Sequence, residues 1–190
     1  MNEKVKENEN SFNKILTKVK KNYKSILVLI IMCVAALVIL SYLSYSKNKE
    51  NIFLSDEFYK AKIMYENKNI NEAKSTLLKI IDENNEFYSP LALYFVIENN
   101  LESSEKKIID LFNKILLIKK DEESNNLIRI KKALYLLEAG DEKLILEELN
   151  PIINSKSYLR KDAINLLISY FNSKNETIKA NEYRSKLIQN

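Results

Sequence analysis

Residues 26–43 read ILVLIIMCVAALVILSYL and carry no charged side chain. An α-helix rises about 1.5 Å per residue and a bilayer's hydrocarbon core is about 30 Å thick. The run is therefore just long enough to cross, with Tyr23, Tyr42 and Tyr45 placed for the interfaces. Twelve of its residues are Leu, Ile or Val. At about −0.3 to −0.6 kcal/mol each near the bilayer centre, they favour insertion by roughly 4–7 kcal/mol, which the few polar side chains at the ends do not cancel. The run predicts a transmembrane helix over residues 23–45. Before it lies a basic, polar tail over residues 1–22 that buries too little to fold.

A cleaved signal peptide also joins a basic start to an apolar stretch, but its apolar core is shorter and an A-x-A site follows. Here the nearest substitute is Ser44 and Ser46 around Tyr45. A lipoprotein signal needs a small residue before its cysteine, whereas Cys33 follows Ile31 and Met32. The span is thus expected to stay as a signal anchor. Lys14, Lys18, Lys20, Lys21 and Lys24 crowd its N-terminal flank, against Lys47 and Lys49 after it. Cytoplasmic flanks are enriched in Lys and Arg. The N-terminus is accordingly expected in the cytoplasm and the remainder outside, in the periplasm at a bacterial inner membrane.

After a linker or helical extension over residues 46–54, the segment 55–190 is long enough for one domain with its own core. Its chemistry is narrow: His and Trp are missing, the one Cys lies in the apolar run, and the one Gly is Gly140. Without imidazole or an accessible thiol, nucleophilic triads and the common transition-metal sites cannot be assembled. Without clustered glycines, neither a phosphate-cradling loop nor a dinucleotide fingerprint forms. Carboxylate pairs of the glycosidase kind remain open, but Asp and Glu are spread as on any solvated helix face. No catalytic residue, cofactor or metal ligand is assigned, and a non-enzymatic domain is expected. Most of the formal charge of +4 belongs to the tail, and Lys119-Lys120 and Lys131-Lys132 are interleaved with acids, so no nucleic-acid stripe is expected.

Apolar residues recur at spacings of three and four, and one Gly with two Pro is too few for an all-β chain, so the domain is predicted all-α. The first helix is expected from near Ser55, burying Phe58, Ala61 and Tyr65. The second opens at residues 69–71 and carries Ala73, Leu77, Ile80 and Ile81 inward. Ser89 is read as the cap of the third with Pro90 at its first position, and Ser103 or Ser104 as the cap of the fourth, which buries Ile108, Phe112, Ile115 and Leu116. A looser segment over residues 119–125 follows. The fifth turns Leu127, Ile130, Ala133, Leu134 and Leu137 inward and stops at Gly140, after which Asp141 caps the sixth. Asn150-Pro151 should end or kink the sixth. Leu159, Ala163, Leu166, Leu167 and Tyr170 mark the seventh, and Ala180, Tyr183 and Leu187 the eighth.

Turns near Lys68, Asn100, Gly140 and Lys174 lie about 32, 40 and 34 residues apart, the period of tetratricopeptide repeats. Ala61, Ala73, Ala133 and Ala180 take small-residue positions at which paired backbones approach. The predicted fold is an N-terminal transmembrane helix followed by an α-solenoid of about four degenerate tetratricopeptide-like helix pairs. Such stacks offer a groove to a partner's helix or extended segment. Lys62, Glu66, Arg129 and Lys132, read as exposed positions on the first helices of their pairs, are the candidate partner-groove residues. Phe58, Tyr65, Tyr94, Phe95, Phe112, Tyr170 and Phe171 are assigned to the core.

The lysine-flanked span, the unit FYKAKIMYENKNINEAKSTLLKI and the stretch ALYLLEAGDEKLILEELNPII with the later YLRKDAINLLISYF together resemble a family. It is the family of ancillary SecYEG translocon subunits, single-pass inner-membrane proteins with a periplasmic tetratricopeptide-like domain. Leu149-x-Pro151-Ile152, then Arg160 and Ala163, looks like its junction between third and fourth repeats. The resemblance implies association with the translocon and with periplasmic chaperones acting on newly exported chains, and it supplies no catalytic residue. The expected function is a membrane-anchored adaptor. The alternative is an oligomeric scaffold for envelope assembly or cell division, although Ala35-Ala36 is the only small patch in the span. A mitochondrial import receptor of the same architecture would have the reverse topology.

Overall fold

The computed structural model describes residues 23–118 and 120–188. The expected tail over residues 1–22 and the expectation at Lys119 lie outside them. Among the described residues the protein is all-helical: α1 (Tyr23–Glu66), α2 (Ile70–Asp82), α3 (Tyr88–Glu98), α4 (Glu105–Leu116), α5 (Glu122–Ala139), α6 (Glu142–Ile153), α7 (Arg160–Ser173) and α8 (Thr177–Lys186). The chain divides into two compact units, Met1–Ile52 and Phe53–Asn190.

In the first unit, Leu27, Ile31, Leu37, Leu40 and Leu43 are each more than half exposed, and so are the large apolar residues between them. Among the described residues this surface is exposed, and α1 is long and apolar enough to cross a membrane. Residues 46–54 are helical, so the extension rather than the linker is observed, and no helix begins at Ser55. The reason is local: between Tyr23 and Glu66 there is no Gly or Pro to interrupt the backbone ladder.

In the second unit the chain order groups the end of α1 with α2, α3 with α4, α5 with α6 and α7 with α8. Helix packing from α2 onward joins consecutive elements, which is the construction of a solenoid. Ala61, Ala73, Ala133 and Ala180 are fully buried, as expected of small residues where helices meet.

Three of the turns within pairs close in one way. Lys68, Asn100 and Asn175 take left-handed φ angles of 66°, 51° and 61°. Their N–H groups bond to the carbonyls of Tyr65, Ile97 and Asn172, and the next N–H groups to those of Met64, Val96 and Phe171. Each bond satisfies a carbonyl that a helix end otherwise leaves orphaned. In the third pair Gly140, at φ 76°, donates to the carbonyl of Leu136, and the Asp141 carboxylate accepts the Leu144 N–H at 3.1 Å. One turn geometry thus recurs at three of the four turns within pairs.

Four expectations are corrected. α3 starts at Tyr88, and Ser89 lies inside it: the Asn85 side chain accepts the N–H groups of Phe87 and Tyr88, and the buried Ser89 hydroxyl donates to the carbonyl of Ile80. α5 starts at Glu122 because the Asp121 carboxylate accepts both the N–H and the hydroxyl of Ser124. α6 runs through Asn150-Pro151 to Ile153 rather than stopping there, and the missing N–H falls in its last turn. The inward face of α5 is also rotated from the one expected. Ile128, Ala133 and Leu136 are buried, whereas Leu127 and Leu134 are 46% and 43% exposed.

The core forms two clusters. Leu54, Ala61, Leu77, Ile81, Leu93, Val96, Phe112 and Ile128 belong to one, and Ala133, Leu136, Ile145, Leu149, Ala163, Leu167 and Phe171 to the other. α5 contributes to both.

Candidate functional site

α3 and α5 are the first helices of successive pairs. Between them lies a cleft of about 540 Å³, walled by Tyr94, Ile97 and Glu98 of α3, Ile108 and Phe112 of α4, and Lys131, Leu134, Tyr135 and Glu138 of α5. Asn100, Glu102 and Ser103 close one side. They belong to residues 99–104, a longer connection than residues 67–69, 140–141 and 174–176 in the other pairs. Leu101 anchors that connection in the core. The Glu102 carboxylate accepts the Ser104 N–H at 3.0 Å, lies 3.0 Å from the Lys74 ammonium of α2 and 3.7 Å from that of Lys107, and its side chain is 6% exposed. The Ser104 N–H first, and Lys74 next, hold its acid constant down at about 2. Glu102 therefore fixes the wall of the cleft as a permanent carboxylate at neutral pH.

Tyr94 also lines a second cleft of about 200 Å³, formed with Phe87, Pro90, Leu91, Leu127 and Ile128 and edged by Glu86, Lys120 and Ser124. Burial pushes the Tyr94 phenol up to about 12, so it stays a neutral hydrogen-bonding group. The Lys131 ammonium stands over the Tyr94 ring, 5.5 Å from its centroid. Lys120 donates to the carbonyl of Ile115 at 2.7 Å, and burial lowers its proton affinity. The two clefts share Tyr94, with Phe112 and Tyr135 also lining the larger and Phe87 the smaller. Such a surface can hold side chains of a polypeptide.

The sequence-derived candidates fall elsewhere. Lys62 is half-buried and Glu66 exposed on α1, and neither lines these clefts. Lys132 was expected to be exposed; it is 5% exposed. Its ammonium bonds to Glu148 Oε1 at 2.5 Å and to Asn113 Oδ1 at 2.7 Å, and Arg129 reaches Glu148 Oε2 at 2.9 Å. These four residues tie α5 to α4 and α6 rather than facing a partner. Tyr94 was assigned to the core, yet it is the residue common to both clefts. The missed signal is the stripe Ser124, Leu127, Lys131, Leu134 and Glu138 on α5, at helical spacing beside the stripe that is buried.

Among the described residues no group of three or more acidic or thiol side chains gathers closely enough to hold a metal ion. Comparison with family models, curated proteins and solved structures finds no match to this chain.

Proposed function

We propose that this protein is a non-enzymatic adaptor, anchored by its N-terminal helix and binding a segment of a partner protein in the clefts beside Tyr94. The observation that carries the reading is the pair of clefts between α3 and α5, where exposed Leu127 and Leu134 adjoin Tyr94. Exposed leucines next to an aromatic floor are what a partner's apolar side chains would cover. The lysine bias around the span supports a cytoplasmic N-terminus and a periplasmic domain at a bacterial inner membrane. The resemblance to ancillary translocon subunits supports translocon components, periplasmic chaperones or exported chains as partners.

The test is a photo-crosslinking amino acid at Leu134 in the full chain, expressed in membranes, with the adducts identified by mass spectrometry. The adaptor reading expects crosslinks to other polypeptides, translocon or chaperone components among them. Crosslinks solely to a second copy of the chain would favour the scaffold instead, and an absence of polypeptide adducts would remove the clefts as a docking site.

A further inference from the structure

The larger cleft is acidic where a partner would enter. Glu98 and Glu138 line it, are exposed, and form no ion pair among the described residues. Glu102 adds a third carboxylate, offset by Lys74 and Lys107. Tyr135, also in the wall, has its phenol pushed up by burial first and then by the charges of Glu105, Glu138 and Glu102, so several carboxylates act on one point. Against them stands Lys131, whose ammonium occupies the face of Tyr94. That contact already places a cation over this ring. The smaller cleft, on the other side of Tyr94, is walled by Pro90, Leu91, Leu127 and Ile128.

We propose, on the reading of these clefts as a partner site, that the partner segment presents a Lys or Arg side chain beside a bulky apolar one. The cation enters the larger cleft, takes the Tyr94 face from Lys131 and is compensated by Glu98 and Glu138. The apolar side chain fills the smaller cleft against Leu91 and Leu127. Charge complementarity selects the partner, because carboxylates without internal partners attract a cation and repel an acidic segment, and burial against the aromatic floor supplies affinity.

The experiment uses the full chain in nanodiscs of zwitterionic lipid, with empty nanodiscs as blank, and fluorescent peptides of one length in which Leu alternates with Lys, Gln or Glu. The Lys peptide should bind at least about tenfold more tightly than the Gln peptide, and raising salt from about 50 to about 300 mM should weaken it. The Glu98→Gln/Glu138→Gln double variant should bring the Lys peptide to the affinity of the Gln peptide without moving the melting temperature. Lys131→Leu should tighten Lys-peptide binding. Equal affinity for the Lys and Gln peptides, or preference for the Glu peptide, would overturn the cationic specificity while leaving the clefts as a binding site. Failure of every peptide to bind, together with no polypeptide crosslink at Leu134, would overturn both.

Discussion

The Lys132 ammonium lies 2.5 Å from Glu148 Oε1, with both side chains less than a tenth exposed, in the middle of a helical stack. Arg129 shares the same carboxylate, and the three residues stand where α5 passes from one hydrophobic cluster to the other. Two charges taken out of water depend on each other: their attraction offsets desolvation only while the pairing is complete.

Glu148→Ala should therefore cost about 3–5 kcal/mol, because it leaves Lys132 buried and unpaired, whereas Lys132→Met with Glu148→Leu should be near neutral or stabilising. Urea denaturation followed by circular dichroism measures both. A loss below about 1 kcal/mol for Glu148→Ala would place the pair in the range of surface salt bridges. Nearby Asn126, 6% exposed, has a buried side-chain Nδ2 without a partner. Replacing it by Leu should raise stability by about 1–2 kcal/mol, since no hydrogen bond is lost with it and a desolvation penalty is removed.

The left-handed turns give a paired prediction of opposite sign. Gly140→Ala should destabilise by about 1–2 kcal/mol through the backbone alone. The added methyl would meet only the flexible end of Lys174, at 3.6 Å. Lys68→Gly should stabilise by about 0.5–1 kcal/mol, the left-handed strain relieved less the entropy that glycine loses on folding. Thermal melts of the two variants decide it.

Acid should weaken the wall of the cleft through Glu102. Its carboxyl is held at about 2 in the fold against an ordinary 4.5, so its contribution is complete above 4.5 and is lost as the pH falls from there toward 2. Glu102→Gln should flatten the stability curve across that window. Denaturation midpoints of both proteins at several pH values between those limits measure it.

Topology is a separate matter from the fold. A reporter enzyme active only in the periplasm and fused after Asn190 should be active. Replacing Lys14, Lys18, Lys20, Lys21 and Lys24 by Gln should give mixed orientation, because the bias that sets it would be gone. An inactive reporter on the unaltered chain would reverse the assignment.

Much of the fold was legible locally. The inward residues of α2, Ala73, Leu77, Ile80 and Ile81, are the ones the periodicity predicted, and Asp141 caps α6 as expected. The turns at Lys68, Asn100 and Gly140 were marked by residues that end helices, and the last fell at Asn175, one position beyond Lys174. The starts of α3 and α5 differ from the expected ones because Asn85 takes N–H groups ahead of Ser89, and Asp121 caps a helix inside the segment expected to be looser. The candidate site was misread for a different reason. Along α5 apolar residues occur on two faces, Ile128 with Leu136 and Leu127 with Leu134, and helical spacing fits both stripes.

By itself, then, the sequence determined a membrane-length apolar helix, an all-α domain and the periodic turns, because each depends on residues adjacent in the chain: transfer into lipid, ladder continuity and φ at single positions. The tertiary structure alone decided which side of α5 faces α4 and α6, that Glu148 of α6 draws Arg129 and Lys132 inward, and that Tyr94 is left between two clefts. Those outcomes depend on side chains brought together from different helices, whose charges and volumes meet only once the pairs have stacked.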